Sequence, residues 1–163
     1  MAMSESEQLR KGLDWEIPGR GRLSIRHVVF DFNGTLAAHG HVAASTADAL
    51  ARLAQVVHCI IATADTFGTV SPFAARLGLE CSIVAGASDK LTLVQSLRGG
   101  VAAVGNGAND GAMLSAAQLA IGVIGPEGAA MTALRVCDVV VHHIDDALGL
   151  LLNPDRLVAT LRE

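Results

Sequence analysis

The chain has 163 residues, of which 51% are hydrophobic, 17% charged and 3% aromatic. That is enough for one domain with a continuous core of Val, Ile, Leu and Ala, and it excludes a disordered chain. The formal net charge of −4 argues against a nucleic-acid partner, which calls for a basic face. No apolar run approaches the length of a bilayer, and Met1-Ala2-Met3-Ser4-Glu5 does not open a signal peptide, so a cytoplasmic chain with no membrane partner is expected.

The first elements differ in rhythm from the rest. Trp15-Glu16-Ile17 and Leu23-Ser24-Ile25, separated by Pro18-Gly19-Arg20-Gly21-Arg22, predict a small hairpin within an N-terminal extension over 1–26. From there apolar runs predict strands over 28–32, 58–63, 82–85, 101–105, 119–124 and 139–141. Between them, helical spacing covers 47–53, 72–77, 90–97, 112–119 and 129–136. Ser45 with Asp48 three residues later reads as a capping box for the first helix. Residues 144–162 read as helical, broken near Asn153-Pro154. Strand–helix alternation of this kind predicts an α/β fold, Rossmann-like, with three layers and a central parallel sheet. The whole of 1–163 reads as a single domain, without repeats, low-complexity tracts or linkers.

Cys59, Cys81 and Cys137 are far apart, odd in number and set among apolar residues, which favours buried free thiols over a metal site. The six histidines show no ligand spacing. His39 and His41 follow Asp31 in a Gly-containing loop within reach of any ligand there, and His142-His143 closes a strand.

Ligands of an open parallel sheet bind beyond the carboxyl ends of its strands. Asp31 and Thr63 end the first two core strands, Asn106 follows the fourth directly, and Lys90 opens the helix after the third. All four therefore fall on one edge. Thr63 alone serves equally well as a turn cap, and Asn109 and Asp110 equally well as helix caps. Lys90 is harder to explain structurally. A cation in the first turn of a helix opposes the macrodipole by about 0.3–1 kcal/mol and calls for a compensating anion, such as a phosphate or Asp31.

Asp31-Phe32-Asn33-Gly34-Thr35-Leu36 resembles the first motif of the haloacid dehalogenase (HAD) superfamily of phosphoryl-transfer enzymes, whose leading Asp is phosphorylated in turnover. Ile60-Ile61-Ala62-Thr63-Ala64-Asp65 looks like the second motif, Lys90 like the third, and Gly105-Asn106-Gly107-Ala108-Asn109-Asp110 like the fourth, usually Gly-Asp-Gly-x-Asn-Asp. Thr35 and the fourth motif most resemble the phosphorylation domains of P-type ATPases and their small soluble relatives. The resemblance implies a Mg²⁺-dependent phosphohydrolase working through an aspartyl-phosphate. Asp31 would be the nucleophile. Thr63, Ala64, Lys90 and Asn109 would hold the phosphoryl group. Asp31, the Asn33 carbonyl, Asn106 and Asp110 would hold the metal.

Two departures qualify that expectation. Asn33 stands where phosphatases of the superfamily have a general acid/base Asp, a loss worth on the order of 10²–10⁴ in rate. Asn106 replaces the usual metal-binding Asp, which lowers the attraction for a divalent cation. Positions 31–63 and 63–90 leave no room for a cap domain, so the site is expected to be open. An open site suits a phosphorylated macromolecule, or a phosphorylated small molecule where a second copy in a homo-oligomer closes the site. The alternative to a slow enzyme is a catalytically silent relative that binds a phosphorylated ligand or protein partner.

Overall fold

The aliphatic runs condense into a six-stranded parallel sheet in a computed structural model that describes residues 10–163. A two-stranded antiparallel hairpin, β1 (Leu13–Ile17) and β2 (Gly21–Ile25), precedes it. The sheet strands are β3 (His27–Asp31), β4 (His58–Thr63), β5 (Glu80–Ile83), β6 (Val101–Gly105), β7 (Leu119–Val123) and β8 (Val139–Val141). Their spatial order is β5-β4-β3-β6-β7-β8. The chain thus builds outward from β3 in one direction, returns, and builds outward from β6 in the other. Strand order reverses between β3 and β6, and this switch point opens a crevice at their carboxyl ends.

Helices cover both faces. On one lie α1 (Ala44–Ala54), α2 (Val70–Leu77), α6 (Ile144–Leu152) and α7 (Pro154–Leu161), packed on Val28, Phe30, Cys59, Ile61, Val104 and Ile121. On the other lie α3 (Ala87–Ser96), α4 (Gly111–Ala116) and the single turn α5 (Met131–Leu134), packed on Val29, Ile60, Ala62, Ala103 and Ala120. Consecutive strand residues point to opposite faces. With both faces covered, that is why these strands read as unbroken apolar runs. Val101–Gly105 and Leu119–Val123 are buried along their whole length. Among the described residues, no helix is long and apolar enough to cross a membrane.

The hairpin expected within 1–26 forms at Leu13–Ile25, while residues 1–9 lie outside the described residues. Other boundaries need correction. The expected strand over 82–85 is Glu80–Ile83, because half-exposed Cys81 and Ser82 pair with β4 as an edge. The helices expected over 112–119 and 129–136 shrink to Gly111–Ala116 and Met131–Leu134, since Leu119 already belongs to β7. The helix expected to open at Lys90 starts at Ala87, leaving Lys90 in its first turn. The capping box at Ser45 and Asp48 is absent. Ala43 takes the N-cap position, and the Ser45 and Thr46 hydroxyls donate to Asp145 of α6 at 2.7 and 2.6 Å. Two hydroxyls facing a carboxylate on a packed neighbour make a stronger bond than a local cap does.

Candidate active site

Asp31 ends β3 and turns at once. Thr35 N and Ala37 N both donate to the Phe32 carbonyl, at 3.2 and 2.9 Å, and Gly34 N donates to the Ala37 carbonyl at 2.9 Å. Gly34 takes φ +78°, which a β-carbon disfavours. Among the described residues no backbone bond of this turn uses the Asn33 carbonyl.

Burial at this edge is unusually polar. Among the described residues the buried polar and charged side chains are Asp31, Thr35, Thr63, Lys90, Asn106 and Asp110, together with Thr46 on α1. Lys90 is 3% exposed, and its Nζ donates to Asp31 Oδ1 and Asp110 Oδ1, both at 2.7 Å. Two carboxylates thus provide the compensating anion that Lys90 requires. Removing three charges from water costs several kcal/mol per ion, which the two short ion pairs offset. Burial by itself would lower the Lys90 pKa, but the Asp31 and Asp110 charges outweigh it and hold the amine above its ordinary value. Burial raises the Asp31 pKa, Asp110 adds to the rise, and Lys90 with the Thr35 hydroxyl offsets part of it. With both carboxylates ionised the trio carries one net negative charge.

Thr35 Oγ1 stands 3.1 Å from Asp31 Oδ2 and 3.1 Å from Asn106 Oδ1. Its single proton serves one of them at a time. Asn106 Nδ2 donates to the Gly128 carbonyl at 3.1 Å, which leaves Oδ1 as the face of the amide turned towards Asp31. Asp65 N donates to Thr63 Oγ1 at 3.2 Å, so the Thr63 proton is left to donate elsewhere. The Asp65 carboxylate accepts from Val70 N and Ser71 N and caps α2.

An open cavity of about 290 Å³ is lined by Asp31, Asn33, Thr63, Ala64, Lys90, Asn106, Asn109 and Glu127, with Val84, Ala85, Gly86 and Gly107 completing its wall. Every site residue expected from the sequence except Asp110 therefore reaches one cavity. Asp110 is fully buried behind Lys90. Its Oδ1 holds the amine, and its Oδ2 accepts from Asn106 N and Gly107 N at 3.0 and 2.9 Å. Asp110 thus fixes Lys90 and the turn that carries Asn106. A β-carbon at Gly105 would stand 2.7 Å from Asp110 Oδ2, so only glycine fits beside it. His39 and His41 do not line this cavity. His41 faces a neighbouring one of about 70 Å³ with Ala38, Thr46 and His143.

The donor set suits a small hard cation. Asp31 Oδ2, Asn106 Oδ1 and the Asn33 carbonyl are all oxygens, and magnesium needs only one or two carboxylates from the protein. Sequence reasoning passed over Thr35 as a contact of the site and Glu127 altogether. The rule that located the other residues, polar groups following the carboxyl end of a core strand, applies equally to Gly125-Pro126-Glu127-Gly128 after β7.

The chain is 51% identical over 63 residues to the uncharacterized protein MJ0073 of Methanocaldococcus jannaschii, a match spanning 39% of this chain and 68% of that protein. No family model matches. Among solved structures, the 3-deoxy-D-manno-octulosonate 8-phosphate phosphatase of Moraxella catarrhalis, in complex with magnesium and phosphate ions, superposes with a TM-score of 0.67 at 20% identity, over 85% of this chain and 94% of that one. The cobalt-bound phosphatase of the same name from Haemophilus influenzae gives 0.67 at 13% identity, with the same coverage. A zinc-transporting PIB-type ATPase gives 0.60 at 26% identity over 73% of this chain, although the match spans only 20% of the transporter.

Proposed function

The chain shares a family with the M. jannaschii protein and its fold with the two phosphatases, and we propose that it is a member of the haloacid dehalogenase superfamily, a Mg²⁺-dependent phosphohydrolase acting through an aspartyl-phosphate on Asp31. The observation that carries the reading is the buried Asp31–Lys90–Asp110 trio at the switch point, with both Lys90 bonds at 2.7 Å. A structural protein gains little from placing two carboxylates and an amine beneath an open cavity. Magnesium and cobalt bound to the two phosphatases of like fold support a divalent ion here, and the oxygen donors of Asp31, Asn33 and Asn106 favour Mg²⁺.

Phosphoryl transfer asks the protein mainly for positioning and charge neutralisation. A carboxylate oxygen of Asp31 forms the new bond to phosphorus as the ester oxygen departs with its electron pair. Lys90 and the Thr63 hydroxyl donate to the phosphoryl oxygens, with Ala64 and Asn109 on the same wall. A divalent ion held by Asp31, the Asn33 carbonyl and Asn106 supplies further charge neutralisation when bound. Asn33 can neither protonate the leaving group nor activate water, so turnover is slow for substrates with poor leaving groups. The open cavity suits a phosphate group on a macromolecule, or on a small molecule where a second copy of the chain closes the site.

Hydrolysis of an aryl phosphate, whose good leaving group needs little acid assistance, tests the assignment. We expect Mg²⁺-dependent turnover in the wild type and none in Asp31→Asn. A variant that turns over at the wild-type rate removes Asp31 as nucleophile. A folded wild type with no turnover leaves the alternative, a silent relative that binds phosphorylated ligands.

A further inference from the structure

Asn106 lacks the charge that its motif usually brings to the site, and another carboxylate stands beside it. Glu127 lies in the loop of residues 124–130, after β7, and lines the same cavity as Asp31, Asn33 and Asn106. A β-carbon built on Gly34 would overlap Glu127 Oε2 and stand 2.8 Å from Asn106 Nδ2. The Glu127 carboxylate therefore occupies the space above the Gly34 backbone, on the side where the Asn106 amide nitrogen also lies, within the cavity that Asp31 and Asn33 line. Among the described residues, no hydrogen bond or ion pair occupies it.

The loop holding Glu127 is tied down by Asn106 itself. Ala130 N donates to the Asn106 carbonyl at 2.8 Å, and Asn106 Nδ2 donates to the Gly128 carbonyl at 3.1 Å. Gly128 N donates to the Gly125 carbonyl at 3.2 Å, and a β-carbon on Gly125 would stand 3.3 Å from the Gly34 carbonyl. These contacts press the loop onto the turn that follows Asp31. An aspartate at 106 would turn a carboxylate oxygen towards the Gly128 carbonyl oxygen and break the tie. An amide there makes it, and the same bond aims Oδ1 at Asp31. The asparagine at 106 and the glutamate at 127 thus act as one device.

We propose that Glu127 is the second anionic ligand of the divalent cation at this site, supplying the charge that position 106 does not carry. The inference rests on the metal reading given above. Its chemistry is that of a hard-cation site, in which affinity follows the number of charged oxygen ligands. A carboxylate without a cation partner among the described residues, lining the same cavity as Asp31, Asn33 and Asn106, meets that description.

Mn²⁺ titration of the full chain, followed by the electron paramagnetic resonance of free Mn²⁺ and without any phosphate ester, reads binding independently of turnover. Glu127→Gln keeps the size of the side chain and removes its charge. We expect this variant to bind Mn²⁺ about tenfold more weakly or worse. Its melting temperature without metal should match the wild type, because the loop is held by Asn106 and backbone atoms. Asp31→Asn serves as the reference. If it loses Mn²⁺ while Glu127→Gln binds as tightly as the wild type, the role of Glu127 is overturned and the metal reading stands. If Asp31→Asn also binds as the wild type does, or if the wild type binds no Mn²⁺, the metal reading fails and Glu127 with it.

Discussion

On the proposed mechanism, the residue expected to limit turnover is Asn33. It lines the cavity and is exposed, so an aspartate there keeps its charge in water and costs little stability. Asn33→Asp should restore the general acid/base and raise turnover of alkyl phosphates, whose leaving groups need protonation, by up to about 10²–10⁴. The gain on aryl phosphates should be far smaller. A leaving-group series on the two proteins checks this, and equal gains across the series would show that the limitation lies in binding instead. Asp31, Thr63, Lys90 and Asn106 were legible because each sits at or just beyond a strand end, which apolar runs locate well. Lys90 also stood out for opposing its own helix dipole, a conflict that Asp31 and Asp110 resolve. Asp110 was legible as a polar residue of the fourth motif, but no sequence pattern says that its two oxygens are already taken. Glu127 also follows a core strand, but its place over the site depends on a long-range contact with Gly34 and on one amide bond to Gly128, which no sequence pattern shows.

At the scale of elements, β4 and β6 follow the apolar runs to the residue, since a strand buried on both faces has to be apolar throughout, and the edge strand β8 matches its run although Val140 is exposed. Helix starts were less legible because few N-cap positions carry a capping side chain, and α2 is capped from outside the helix by Asp65. Among the described longer helices, only α6 has an N-cap side chain in use, with Asp145 N donating to His143 Nδ1. Asp145 then anchors α6 to α1. Burial of its carboxylate works towards a higher pKa, but the hydrogen bonds from the Thr46 and Ser45 hydroxyls outweigh it and hold the pKa below its ordinary value. A depressed acid stabilises the fold above its ordinary pKa of 3.8, and that stability disappears as pH falls through the lower folded value. Asp145→Asn should therefore cost about 1 kcal/mol at neutral pH, a hydrogen-bonded charge trimmed by partial exposure. The difference should shrink in strong acid. Urea titrations at neutral and acidic pH measure it, and an equal deficit at both would assign the effect to packing.

At the scale of the molecule, the open question is whether the hairpin and the sheet melt as one body. Trp15, the single tryptophan, is buried at 3% exposure on the hairpin and belongs to the same apolar cluster as Phe30, Leu50 and Leu148. Gly12 N donates to the Val56 carbonyl at 2.8 Å, and Glu163 N donates to the Pro18 carbonyl at 3.0 Å, so the hairpin bonds both to the segment before β4 and to the C-terminal residue. Ile25 is fully buried in that cluster, and a β-carbon at Gly100 would collide with the Ser24 carbonyl. A hairpin of two short strands is at best marginally stable alone, so these contacts are what hold it together. One cooperative transition is therefore expected, with Trp15 fluorescence and far-ultraviolet circular dichroism giving the same midpoint. The indole also carries a cost, because Trp15 Nε1 is buried without a hydrogen-bond partner among the described residues, a loss of about 1–3 kcal/mol. That cost is tolerable only if the ring's burial contributes to the main core, which a shared transition requires. A fluorescence midpoint several degrees below the dichroism midpoint would make the hairpin a separately melting extension, and the single-domain description of 1–163 would fail.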